Sequence, residues 1–165
     1  MNDRLLVAVL GNRNSGKSST WNTLFDVTVK TGTKLRRLYL NKAQWVDEVF
    51  LVSGSPEERE IPIEELMPTE SPRIVLCSMQ YKAGVKDTFN YFLRNGYTVY
   101  VQWLNPGYSD NAAYADHLAL REWLIDKGAL FCQRNGKVDP TYRVNEIKQQ
   151  ILGWATYRDL VCTDF

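Results

Sequence analysis

Residues 4–18 read RLLVAVLGNRNSGKS. Residues 4–10 are a short apolar run that stops at Gly11, the pattern of a strand covered on both faces. Residues 11–18, GNRNSGKS, match the spacing GxxxxGK[ST], and a helix is predicted to follow from about Gly16 to Phe25. A glycine-bounded turn between a strand and a helix is a place to hold phosphate. A triphosphate needs many backbone N–H groups turned inward, which glycine permits because it tolerates positive φ and close approach. The helix N-terminus adds its partial positive charge.

The expected site is therefore Gly11, Asn12, Arg13, Asn14, Ser15, Gly16, Lys17, Ser18 and Ser19 around the phosphates of a nucleoside triphosphate. Lys17 is expected to bridge the β and γ phosphates and to be the catalytic residue, and the Ser18 hydroxyl to ligate Mg²⁺. The plain alternative is a glycine turn that binds nothing.

Outward from this loop, two β-prone segments, 34–40 and 45–52, predict a hairpin. Residues 54–72 hold four prolines and six glutamates, so only one short helical turn is expected there, over 63–67. Strand and helix then alternate: a strand over 73–77, a helix over 84–95, a strand over 97–103. The next helix is expected to be capped by Ser109 or Asp110 and to carry Ala113, His117, Leu120 and Leu124 on its apolar face. A strand over 129–132 and a helix from Asp139, with Pro140 in its first turn, complete the series. The order predicts one α/β domain over 1–165, with a mostly parallel central sheet and helices on both faces. Ligands of such sheets bind outside the carboxyl ends of the strands, and the first strand ends at Gly11.

Composition agrees with a packed domain: 165 residues, 44% hydrophobic and 24% charged, exclude a disordered tail or a disulfide-stapled miniprotein. The net charge of +1 gives no footprint for nucleic acid or an anionic membrane. Cys77, Cys132 and Cys162 lack paired metal spacing and suggest a reducing, cytoplasmic setting, and no apolar run has signal-peptide or membrane-span length. Near-neutrality conceals asymmetry. Lys30, Lys34, Arg36, Arg37 and Lys42 occupy 30–42 without an acid, whereas 47–70 hold eight acids and only Arg59.

The segment 11–18 resembles the Walker A motif of P-loop NTPases. More narrowly, Asn14, Ser15, Gly16, Lys17, Ser18, Ser19, Asn22, Leu24 and Phe25 resemble the NxGKSSxxNxLF pattern of Era- and TrmE-type small GTPases. The resemblance implies a three-layer P-loop sandwich, with Thr31 or Thr33 in a switch I region and 53–68 where switch II belongs. The downstream motifs depart from it. Ser53, Gly54, Ser55 and Pro56 stand where DxxG is implied, the alternative strand end gives Cys77 and Ser78, and Leu104, Asn105, Pro106 and Gly107 stand where NKxD is implied. ATP is accordingly the expected ligand, with GTP the alternative. A slow NTPase or nucleotide switch, a small nucleotide or metabolite kinase, and a non-hydrolysing scaffold all remain open.

Weaker candidates complete the set. Glu57 or Glu58 would stand in for the missing acid, and Gln80 would position water. Arg134 and Arg143 would serve as lid arginines, although a solvated loop is the simpler expectation for both. His117 is expected to pack in or beside the core.

Overall fold

β1 (Arg4–Gly11) runs through the middle of the sheet. Leu5 to Leu10 are all fully buried, because successive side chains point to opposite faces and both faces are covered. Leu5, Val7 and Val9 join one core cluster and Leu6, Ala8 and Leu10 the other. The structure, a computed structural model, describes residues 3–30, 32 and 34–164.

After β1 come α1 (Lys17–Phe25), β2 (Arg36–Tyr39), β3 (Gln44–Val52), α2 (Pro56–Arg59), α3 (Ile63–Leu66) and β4 (Ile74–Gln80). The second half contains α4 (Val85–Arg94), β5 (Tyr97–Leu104), α5 (Leu120–Asp126), β6 (Leu130–Arg134), α6 (Thr141–Tyr157) and β7 (Cys162–Thr163). The sheet order is β2-β3-β4-β1-β5-β6, with β7 on β3. β3, β4, β1, β5 and β6 pair in parallel, while β2 and β7 pair antiparallel to β3. The architecture is thus α/β with a mostly parallel mixed sheet, as the sequence order predicts. Trp21 and Leu24 of α1 and Val144, Ile147 and Ile151 of α6 build the core on one face. On the other face Val85, Phe89 and Phe92 of α4 join Leu120 and Leu124 of α5.

The predicted hairpin is present, and its second strand pairs with β4, which separates it from β1. The proline-rich stretch holds two helical turns rather than one. Ser55 caps α2 by accepting from the Glu58 backbone N–H at 3.2 Å, and Pro56 occupies the first turn. Thr31 and Thr33 lie outside the described residues.

The long helix expected after Ser109 or Asp110 is a loop followed by the short α5. Asp110 is committed elsewhere: its carboxylate accepts from the Gly107 N–H at 2.7 Å and the Asn12 side-chain amide at 3.3 Å. Asn105 further holds Tyr114 by two side-chain bonds of 2.7 and 2.9 Å, which fold the segment back on itself. Asp116 supplies the start signal instead, accepting from the Leu120 and Arg121 N–H groups at 3.0 and 2.8 Å. Leu120 and Leu124 reach the core, while Ala113 and His117 are exposed. His117 lays its ring edge against Tyr81 at 5.3 Å and is not a core histidine.

One buried polar contact ties α1 to the sheet: the Trp21 indole N–H donates to the Ser78 hydroxyl of β4 at 2.7 Å, and both residues are fully buried. Ser78→Ala leaves that N–H without an acceptor and is expected to cost about 1–3 kcal/mol in urea unfolding. Trp21→Phe in the Ser78→Ala background should add less than it does alone, because the orphaned donor is gone.

Candidate functional site

α1 begins where the chain leaves β1 through the turn 12–16. Asn14 and Gly16 take positive φ, 59° and 107°, the left-handed conformation that lets a short loop curl. Among the described residues, no protein acceptor lies within hydrogen-bond geometry of the backbone N–H groups of 16–19. That leaves a row of free donors at the N-terminus of a nine-residue helix.

Three loops meet at Ser15, which is 1% exposed. The Tyr108 and Ser109 N–H groups donate to the Ser15 and Asn14 carbonyls at 2.9 and 3.2 Å, and the Gly136 N–H donates to the Pro106 carbonyl at 2.7 Å. The approach is close enough to require glycine on both neighbouring loops. A β-carbon on Gly107 would lie 2.4 Å from Ser15 Cβ, and one on Gly136 would lie 2.6 Å from the Ser15 carbonyl oxygen.

The result is a cavity of about 770 Å³ at the carboxyl end of β1. Its floor is Asn14–Ser19. Ser53–Ser55 and Glu58, beyond the end of β3, form one wall; Tyr108, Ser109, Gly136–Pro140 and Arg143, beyond β5 and β6, form the other. Of the residues expected from the sequence, Asn14, Ser15, Gly16, Lys17, Ser18 and Ser19 line it. Gly11, Asn12 and Arg13 do not: Gly11 ends β1, Asn12 braces Asp110, and Arg13 is exposed.

Lys17 is 7% exposed. Its Nζ donates to the Asn12 carbonyl at 2.8 Å and the Gly11 carbonyl at 3.2 Å, approaches Ser15 Oγ at 3.5 Å, and pairs with Glu58 Oε1 at 3.3 Å. Burial lowers its pKa from the usual lysine value, and Glu58 pulls in the opposite direction.

Arg143 belongs to the first turn of α6, not to a solvated loop, and is 4% exposed. Its Nη2 donates to Thr20 Oγ1 at 3.1 Å and approaches the Gly16 carbonyl at 3.5 Å, its Nη1 approaches the Val138 carbonyl at 3.4 Å, and its buried Nε has no partner among the described residues. Among the described residues no carboxylate forms an ion pair with it. Burial lowers its pKa, with Asp139 opposing.

The other candidates separate cleanly. Arg134 is held by Glu146 in a two-pronged pair, Nε to Oε1 at 2.8 Å, away from the cavity. Glu57 faces inward under α2, accepting from the Gln80 N–H at 2.8 Å and the Thr88 hydroxyl; burial raises its pKa and these bonds pull it down. Gln80 is engaged through its backbone there and does not line the cavity. Glu58, by contrast, does. From the sequence, Ser53–Ser55 enter only as part of the 53–68 region that the resemblance implies, and neither Tyr108 nor the residues 136–140 stand out one by one as site residues; the local signals there are the turns at 105–107 and 135–137.

Among the described residues no group of three or more His, Cys, Asp or Glu side chains is placed to hold a metal. The donor set does not fit a metal bound by protein alone. With the Ser18 hydroxyl at the cavity, it fits one carried on phosphates. No described helix is long and apolar enough to cross a membrane. No known protein family, curated protein or solved structure matches the chain.

The glycine packing predicts opposite outcomes at two sites. Gly136→Ala forces a loop backbone apart and is expected to destabilise by roughly 1–3 kcal/mol. Gly153→Ala, within α6 with nothing inside 4 Å of the added carbon, is expected to stabilise by about 0.5–1 kcal/mol. Urea midpoints of the two variants check both signs.

Proposed function

We propose that the cavity binds the polyphosphate of a nucleotide, with an adenine nucleotide the leading candidate, and that the chain is a P-loop protein with the three-layer sandwich of that superfamily. The observation that carries this reading is the combination of free N–H groups at 16–19 with two buried cations, Lys17 and Arg143. Burying a cation without a matched anion is costly, and a cavity-lining arginine with no ion-pair partner among the described residues, beside a row of unfilled donors, is what an anionic ligand would satisfy.

Two features favour a nucleotide over an inorganic anion. The cavity, at about 770 Å³, is much larger than a phosphate group needs. Tyr108, 67% exposed on its wall, offers an aromatic face of the kind that stacks on a base. The ligand then runs from Tyr108 and Arg143 at the nucleoside end to Lys17 and Glu58 at the terminal-phosphate end. In this reading the N–H groups of 14–19 hold the phosphates, Lys17 neutralises the outermost of them and Arg143 an inner one. Ser18 would hold Mg²⁺ carried with the phosphates, which supplies further charge neutralisation.

The second reading, a nucleotide-binding scaffold with little turnover, is favoured by the ends of β3 and β4. Ser53 and Ser78–Gln80 bring no carboxylate there.

Thermal unfolding with ATP, GTP, ADP and GDP, each with and without Mg²⁺, tests the central reading. A ligand at about 100 times its Kd stabilises by roughly 2.7 kcal/mol. Lys17→Ala is expected to abolish the shift and Arg143→Gln to reduce it several-fold. No shift with any nucleotide overturns the reading, and steady-state phosphate release separates an NTPase from a scaffold.

A further inference from the structure

We infer that Glu58 selects nucleoside diphosphate over triphosphate by occupying the place of the terminal phosphate on Lys17. The inference rests on the nucleotide reading above. A lysine ammonium has three N–H donors, and Lys17 Nζ already has four acceptors within reach: the Gly11 and Asn12 carbonyls, Ser15 Oγ and Glu58 Oε1. Three belong to the loop itself and are fixed by the packing of Gly11, Ser15 and Gly107. Only Glu58 comes from outside the loop. Its side chain is 34% exposed, so it is the one acceptor able to withdraw.

α2 is built to present this carboxylate. Ser55 caps it, and Glu57 pins it from beneath through Gln80 and Thr88, so the next residue on the turn faces the cavity. A diphosphate seated in the N–H cradle brings its outer group up to Lys17 while the Lys17–Glu58 pair stays intact. A triphosphate brings a further negative group to the same ammonium, beside a carboxylate of the same sign, and must break the pair to bind.

The test is equilibrium binding of ADP and ATP to the full chain, with and without Mg²⁺, for the wild type, Glu58→Gln, Glu58→Ala and Lys17→Ala; thermal unfolding of each variant checks folding. The wild type is expected to bind ADP about tenfold more tightly than ATP. Both Glu58 variants should tighten ATP by roughly fivefold or more while moving ADP less than about twofold. Binding that Lys17→Ala abolishes but whose ATP to ADP ratio is unchanged by Glu58→Gln overturns the inference and leaves the nucleotide reading standing. Weaker ATP binding in both Glu58 variants only when Mg²⁺ is present also overturns it, and makes Glu58 a metal-positioning acid instead. If neither nucleotide binds any variant, the nucleotide reading fails and the inference with it.

Discussion

Ser15 occupies a point where no neighbouring loop has room for another carbon. Its side chain, Cα and carbonyl are pressed by Gly11, Gly107 and Gly136, from the ends of three adjacent parallel strands. Close packing at this density transmits displacement, so the conformation of 12–16 is set by the loops after β5 and β6 as much as by its own sequence. The Tyr108, Ser109 and Gly136 amides are spent on this contact, while those of 16–19, in the floor of the cavity, have no protein acceptor among the described residues. A backbone at positive φ at Asn14 and Gly16 is sustained because its surroundings over-determine it.

Electrostatics follow from that geometry. The floor of the cavity brings together the positive end of α1, Lys17 and Arg143, while α6 opens beside it at Asp139 and Pro140. Glu58 alone among the cavity-lining acids pairs with either cation. Desolvation lowers the pKa of both Lys17 and Arg143, so the folded chain holds charge against its own solvation preference. Such an arrangement is stable only where packing elsewhere offsets it, and the apolar β1 with its two flanking cores does so.

The first eighteen residues and the alternation of strands and helices were legible because apolar runs, glycine stops and the loop spacing are local signals. The boundaries of β1, α1, α4 and α6 follow from them closely. What local signals cannot carry is the destination of a side chain. Asp110 reads as a helix cap, yet its carboxylate serves Gly107 and Asn12, and Asn105 is spent on Tyr114, so the helix starts only after Asp116. Arg134 and Arg143 are nine residues apart and look alike in sequence; Glu146 claims one, and the burial of the α6 N-terminus beside Thr20 claims the other. Ser55-Pro56-Glu57-Glu58 was a readable start signal for α2, obscured by the prolines that follow it. That α2 turns Glu57 inward and Glu58 toward Lys17 depends on β4 lying between β3 and β1, which no local pattern encodes.

That strand order also gives the cavity a direction. β3 and α2 lie on one flank of β1, and β5 and β6 on the other. The two walls are chemically unlike, with an acid paired to a lysine on one side and an aromatic ring with an unpaired arginine on the other. An extended ligand with one charged and one planar end therefore meets complementary chemistry in one orientation only. Reversed, its planar end would lie against the Lys17–Glu58 pair and its charged end against the Tyr108 wall. A symmetric polyanion would gain nothing from the difference between the walls. The asymmetry follows from β1 lying between β4 and β5, so the topology that centres the apolar strand also sets unlike loops on its two sides and thereby distinguishes the two ends of the site.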